Sequence, residues 1–296
     1  MKIIVTGGRG FIGSHFVEQA LHKGHLVIDI DKMTYAASRK LPWDNNPNYT
    51  LIEQDISHLE HLPTSDIIVN FAAESHVDNS INSSDVFVNS NIAGVHNLLE
   101  LVRGKQTYDR PLFFHISTDE VYGDRQEGTF NEDDRLRPSN PYSASKASAE
   151  MLVHAYKRTY DIDYVITRSS NNYGERQYEE KLIPKCIASI KNGKKIPLHG
   201  DGTYVRDWIY VKDNVDAIFF LIENGVKNDI FNIAAENYLT NIEVAESILK
   251  WYDCGREKIQ FVENRWGQDL RYAVDVSKIM ILGWKCKHQN GIHKWF

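Results

Sequence analysis

The chain has 296 residues, 42% of them hydrophobic and 25% charged, enough for a substantial core and one large domain or two smaller ones. Its 34 basic and 40 acidic residues leave a net charge of −6, which excludes a broad basic footprint for nucleic acid but not a local positive pocket. Cys186, Cys254 and Cys286 are odd in number, far apart and outside metal-ligand spacing, so no disulfide framework is expected.

No export signal opens the chain at MKIIVTGG, and no apolar run approaches the roughly 18 residues of a membrane span. A cytoplasmic protein without a membrane partner is therefore expected. The histidine pairs His22/His25 and His58/His61 lack cysteine or carboxylate partners in ligand spacing, so no metal site is expected either.

In chain order, the apolar runs predict strands at Lys2–Thr6, Leu26–Ile30, Thr50–Gln54, Asp66–Phe71, Leu112–Ser117 and Tyr164–Arg168. Amphipathic patterns between them predict helices at Phe11–Lys23, Asp85–Val102 and Pro141–Tyr160. That alternation implies an α/β fold of Rossmann type, a doubly wound parallel sheet with both faces covered. After Ser169 the regularity breaks: NNYGERQYEEKLIPK reads as a loop entering a helix, and NGKKIPLHGDG as a turn region. Val211–Glu223 and Asn241–Trp251 look helical, with an apolar IFNIA between them. The expected division is residues 1–172 with about 201–236 as a cofactor-binding domain, and 173–200 with 237–296 as a smaller C-terminal substrate-binding lobe.

Directly after the first strand, TGGRGFIG places Gly7, Gly10 and Gly13 where a helix begins. Such glycines allow a tight turn, close approach of a pyrophosphate and close helix–strand packing, while the first helical residues, Phe11 and Ile12, offer backbone N–H groups. Asp31 ends the second strand, where a carboxylate accepts from both ribose hydroxyls and repels a 2′-phosphate; this favours NAD over NADP. Arg9 and Lys32 pull weakly the other way. Asp55-Ile56 and Ala72, Ala73 and Ser75 of NFAAES follow the third and fourth strands, at the edge where open α/β sheets bind ligands.

The fifth strand ends in Ser117-Thr118-Asp119-Glu120, and NPYSASKASAE opens a helix with Tyr142 and Lys146 four apart on one face. A free phenol, with a pKa of about 10, is a poor base at neutral pH. A nearby ammonium and an oxidised nicotinamide would favour its phenolate, so Tyr142 becomes a candidate base for a substrate hydroxyl.

With these motifs, and with DKMTYA, AAESHVD, HISTDEVYGD, SSNNYGERQYEEKLIPK and RDWIYVKD, the chain resembles the extended short-chain dehydrogenases/reductases. More narrowly it resembles the nucleoside-diphosphate-sugar 4,6-dehydratases. That resemblance implies a bound NAD that is regenerated in each cycle. Tyr142 would accept the 4-hydroxyl proton as C4 gives hydride, steadied by Thr118 and with Lys146 tuning the phenol. Glu120 would take the C5 proton and Asp119 would protonate the departing 6-hydroxyl, before hydride returns to C6. Lys32, Thr34, Ser90, Ser117, Tyr142 and Lys146 would join the glycine loop at the cofactor, with Lys146 on the nicotinamide ribose.

The resemblance also implies that Ser75, Asn172, Glu180, Lys181, Leu182, Pro197, His199, Arg206, Asn241, Asp269 and Arg271 bind a nucleoside-diphosphate hexose. Thymidine is the expected base, with uridine, cytidine and guanosine open. Arg206 could instead form a surface ion pair with Asp207 or Asp201, and Asn241 could serve as a helix N-cap. The helices Asp85–Val102 and Pro141–Tyr160 would pair in a homodimer. Departures from the family pattern are Trp266, Gln268 and Ser90, a short segment between Gly123 and Pro138, and a last helix curtailed at GIHKWF. The competing readings are a nucleotide-sugar 4-epimerase, which needs no acidic pair, and a non-catalytic sensor of nucleotide sugars.

Overall fold

A computed structural model describes residues 1–264, 266–289 and 292; apart from Ile292, the curtailed segment GIHKWF falls outside these residues. The strands are β1 (Lys2–Thr6), β2 (Leu26–Asp31), β3 (Tyr49–Glu53), β4 (Ile67–Asn70), β5 (Leu112–Thr118), β6 (Tyr164–Ser169), β7 (Asn171–Tyr173), β8 (Ile196–His199), β9 (Val205–Tyr210), β10 (Asp229–Ile233), β11 (Tyr238–Thr240) and β12 (Ile259–Val262). Seven of them form one sheet in the order β10-β6-β5-β4-β1-β2-β3, with every neighbour parallel. The order reverses at β1, beside the glycine loop. Such switch points are where these sheets bind ligands.

Parallel strands need helical crossovers, and these cover both faces. On one face Phe16 of the helix Phe11–His22 stacks on Phe219 of the helix Val211–Glu223, ring centroids 4.5 Å apart. On the other, Leu98, Leu99 and Val102 pack with Ala149 and Val153 against Ile4, Ile68 and Phe113. The helix Pro141–Tyr160 starts where its composition dictates: Asn140 and Ser143 form a reciprocal cap, and Pro141 occupies the first turn.

The segment expected as one helix from Asp85 to Val102 is broken. Asp85–Phe87 is α-helical, Val88–Ala93 is a π-helical turn, and Gly94–Arg103 resumes the α-helix. The extra residue turns Ser90 and Asn91 inward. Asn91 then holds the loop after β4, accepting from the Glu74 N–H at 2.8 Å and donating to the Glu74 carbonyl at 3.0 Å and to Ser145 Oγ at 2.8 Å.

The apolar IFNIA forms most of β10 on the edge of the main sheet. NGKKIPLHGDG, expected as a turn region, contains β8, which pairs parallel with β12. A three-stranded sheet, β11-β9-β7, and a third core around Tyr173, Ile183, Trp208 and Ile248 complete the C-terminal part. This part is tied to the glycine-loop helix: Arg176 donates to Ser14 Oγ at 2.9 Å and pairs with Glu18 at 2.7 Å.

Candidate active site

One cavity runs along the C-terminal edge of the seven-stranded sheet. It is lined by Gly7, Gly10, Phe11, Ile12, Gly13, Asp31, Lys32, Thr34, Asp55, Ile56, Ala72, Ala73, Ser75, Ser90 and Ser117, the whole set expected around a dinucleotide. Gly7 adopts φ +73°, and a Cβ there would fall 2.7 Å from the Ala72 nitrogen. A Cβ on Gly13 would overlap the Gly7 carbonyl oxygen. No side chain caps the helix that begins at Phe11, so its first turn and positive end face the cavity. A cradle that excludes side chains and ends in uncapped N–H groups fits a pyrophosphate.

Asp31 is buried beside this cradle and oriented by two backbone donors, Arg9 N–H at 3.0 Å and Met33 N–H at 2.8 Å. Arg9, expected to favour a 2′-phosphate, is instead turned away. Its guanidinium is buried, pairs with Asp44 at 2.7 Å and lies over the Tyr49 ring. Lys32 reaches Glu74 at 3.2 Å and Ser90 Oγ at 2.6 Å, so its charge is already balanced by a carboxylate. These arrangements suit an adenosine ribose with a free 2′-hydroxyl.

Thr118, Asp119, Glu120, Tyr142 and Lys146 line the same cavity. Thr118 ends β5, and its Oγ1 accepts from the Glu120 N–H at 3.3 Å, capping a tight 3-10 turn that begins at Asp119. The turn separates the two carboxylates. Asp119 is 3% exposed with Oδ2 unpartnered, whereas Glu120 is only half-buried. Burial, then Glu120 and Asp207, raise Asp119 well above the usual carboxylate range, against a smaller pull from Arg206. Its surroundings therefore favour the protonated, neutral carboxyl.

Tyr142 is raised by burial and by Glu120, while Thr118 lowers it by hydrogen bonding. Lys146, expected to tune the phenol, is held against β5. Nζ donates to the Ile116 carbonyl at 2.6 Å, and burial lowers the ammonium to about 8. Ser117 also faces the cavity, but its hydroxyl donates to Glu150 at 2.5 Å.

Among the expected substrate residues, Ser75, Asn172, Glu180 and Lys181 line the cavity. Glu180 accepts from Tyr35 at 2.9 Å and Lys181 donates to the Ser75 carbonyl at 2.7 Å, so the loop carrying them bridges the cleft. Leu182, Pro197, His199, Arg206, Asn241, Asp269 and Arg271 lie outside it. Leu182 packs on the third core, Pro197 and His199 sit on β8, and Arg271 donates to the Gly128 carbonyl at 2.7 Å. Arg206 pairs with neither Asp201 nor Asp207; it is buried, donates to the Asp269 carbonyl at 2.9 Å and lies 4.2 Å over the Tyr272 ring. Asn241 is not the N-cap of its helix. Thr240 is, in a reciprocal cap with Glu243.

Sequence reasoning passed over Tyr272, whose hydroxyl is 2.5 Å from Asp269 Oδ2 and 3.5 Å from Glu120 Oε2. Its only signal was adjacency to Arg271. It also passed over Asp29, buried behind the glycine loop, which accepts from the Gly8 N–H at 2.9 Å and from the Tyr49 hydroxyl at 2.8 Å. Burial lifts that carboxyl to about 7. Trp266, one of the departures from the family pattern, is 86% exposed.

The family described as GDP-mannose 4,6 dehydratase matches residues 4–291. The low-salt glycan biosynthesis protein Agl12 of Haloferax volcanii is 44% identical over 292 residues, covering 96% of this chain and 93% of that protein. The dTDP-glucose 4,6-dehydratase of Haemophilus influenzae is 41% identical over 319 residues, covering 96% and 93%. The crystal structure of DesIV, a dTDP-glucose 4,6-dehydratase from Streptomyces venezuelae with NAD and TYD bound, superposes with a TM-score of 0.95 at 37% identity. That superposition covers 100% of this chain and 95% of the other.

Proposed function

Because the chain belongs to the family described as GDP-mannose 4,6 dehydratase, we propose that it is a hydro-lyase acting on a nucleoside-diphosphate glucose. It converts dTDP-glucose to dTDP-4-keto-6-deoxyglucose with bound NAD, as its relatives' names support. The observation that carries this reading is the meeting of Thr118, Asp119, Glu120 and Tyr142 with the glycine loop on one cavity wall.

When bound, NAD supplies a hydride acceptor for C4 and then a hydride donor for C6. Gly7, Gly10 and Gly13 hold its pyrophosphate and Asp31 its ribose. Tyr142 receives the 4-hydroxyl proton, with Thr118 hydrogen-bonded at the same oxygen. The ketone at C4 acidifies the C5 hydrogen, which Glu120 removes; once hydride has reached C6, a proton returns to C5. Asp119, kept neutral by burial and its neighbour, gives its proton to the departing 6-hydroxyl. Two carboxyls with different environments thus take opposite roles. An epimerase would have no use for the pair, and a sensor would have no use for Tyr142.

Substrate deuterated at C4 tests the reading. Deuterium found at C6 of a 4-keto-6-deoxy product supports it; deuterium retained at C4 of an epimer overturns it. Running the same assay with UDP-, CDP- and GDP-hexoses fixes the base.

Three further assignments accompany this reading. Residues 1–172 with about 201–236 bind the cofactor, and the remainder binds the nucleotide sugar. Val86, Val88 and Met151, each 51% exposed on the two helical segments covering one sheet face, support a homodimer. The free cysteines support a reducing cytoplasm; among the described residues no helix is long and apolar enough to cross a membrane.

A further inference from the structure

Tyr142, Lys146 and Glu150 stand at four-residue intervals on one face of the helix Pro141–Tyr160. Each meets successive residues at the end of β5. Tyr142 lines the cavity with Thr118, Lys146 Nζ donates to the Ile116 carbonyl at 2.6 Å, and Glu150 accepts from Ser117 Oγ at 2.5 Å. Glu150 is wholly buried, one turn behind the cavity and outside its wall. A guanidinium from β6 holds it: Arg168 Nη2 is 2.7 Å from Glu150 Oε2, and Nε donates to both oxygens at 3.2 and 3.1 Å. Arg168 is held in turn by the Tyr122 hydroxyl at 2.6 Å and the Glu132 carbonyl at 3.1 Å. None of this is needed to anchor a surface helix, whose apolar face already packs on the sheet.

We propose that Glu150, fixed by Arg168, is a positioning residue for the reaction: through Ser117 it sets the register of the Tyr142 helix on β5, and it places a carboxylate one helical turn from the Lys146 ammonium. This rests on the dehydratase reading, in which Lys146 serves the cofactor and the tyrosine. Lys146 needs such help because burial works against its charge, and Glu150 is the group that opposes that burial. The other titratable groups facing Lys146 are Tyr142 on its own helix and His115 on β5; beyond Glu150 lie Arg168 on β6 and His154. His115 is fully buried and shifted well below its ordinary range by burial and by Lys146, so it is neutral and supplies no counter-charge. His154 is also lowered by burial. Glu150 is the sole carboxylate among these groups.

The pH profile of the first oxidation, followed in the NAD-loaded enzyme with dTDP-glucose, tests this through two changes of opposite sign. Glu150→Gln removes the negative charge and leaves Arg168, so the alkaline limb moves down by about one pH unit, a tenfold change in the ammonium population. Arg168→Gln leaves Glu150 uncompensated, so the limb moves up. Glu150→Asp keeps the charge while losing reach, so the limb stays with the parent although melting temperature falls. KM for the sugar nucleotide is unchanged in all three. If Glu150→Gln does not fold, the upward shift in Arg168→Gln decides alone. Limbs that stay fixed, or that move together, overturn the proposal. A parent enzyme that never oxidises the sugar nucleotide overturns the dehydratase reading instead.

Discussion

Glu120 and Tyr272 meet at the cavity edge of β5, the hydroxyl standing 3.5 Å from Glu120 Oε2 and only 2.5 Å from Asp269 Oδ2. A phenol has one proton to donate, and the shorter contact takes it. Glu120 itself lines the cavity and is only half-buried, so a substrate proton can reach it. Glu120→Gln should lower product formation by about 10²–10⁴-fold, as for a lost general base. Oxidation at C4 continues in that variant, so reduced cofactor accumulates while solvent deuterium fails to enter C5. Turnover at the parent rate would remove Glu120 from the mechanism.

Asp119 makes a prediction about stability as well as rate. Its folded-state pKa lies well above the unfolded value of about 3.9. The group's favourable contribution is thus full at pH below about 4 and is lost as pH rises toward the folded-state pKa. Asp119→Asn cannot ionise and escapes that loss. Its melting temperature, taken relative to the parent, should climb from about pH 4 to neutrality, while dehydration nearly stops for want of the acid. A relative melting temperature that is flat across this range would mean that Asp119 is not held neutral.

Much of this site could be read from the chain because its parts sit at strand ends. Apolar runs locate β1, β2, β4 and β5, and whatever follows a parallel strand faces the same edge. What escaped depends on partners far along the chain. The direction of Arg9 is set by Asp44, which lies in a connection without regular structure. The π-helical turn at Val88–Ala93 follows from Asn91 bonding to Glu74 and Ser145, which no local pattern encodes. β7 and β11 are three residues long and β8 and β12 four, too short for alternation to register. Tyr272 and Glu120 are 152 residues apart in the chain, a separation that no local pattern bridges.

Gly13 and Gly104 separate a needed glycine from a tolerated one. A Cβ on Gly13 overlaps the Gly7 carbonyl oxygen, and the helix must move off the loop to admit it. Gly13→Ala should destabilise by about 1–3 kcal/mol, as overpacking does. The purified protein should also carry little NAD, measured by absorbance after denaturation. Gly104 caps its helix at φ −65°, and a Cβ there meets nothing closer than 3.5 Å. Gly104→Ala should therefore raise stability by about 0.4–1 kcal/mol with NAD content unchanged. Equal effects of the two changes would sink the close-approach argument.

Arg9 lies next to the glycine loop, where an arginine invites the expectation of NADP binding. Its burial and its pairing with Asp44 withdraw it from the cofactor. Asp31, oriented by the Arg9 and Met33 N–H groups, is left to choose the ribose. Like charge then disfavours a 2′-phosphate, so NAD should bind at least about tenfold more tightly than NADP, a difference of about 1.4 kcal/mol. Asp31→Ala should narrow that ratio mainly by weakening NAD. Arg9→Ala should cost stability, because Asp44 loses its partner, yet leave the ratio where it was. Calorimetric titration of both cofactors into both variants decides the matter: a ratio that moves with Arg9 and not with Asp31 would reverse the assignment.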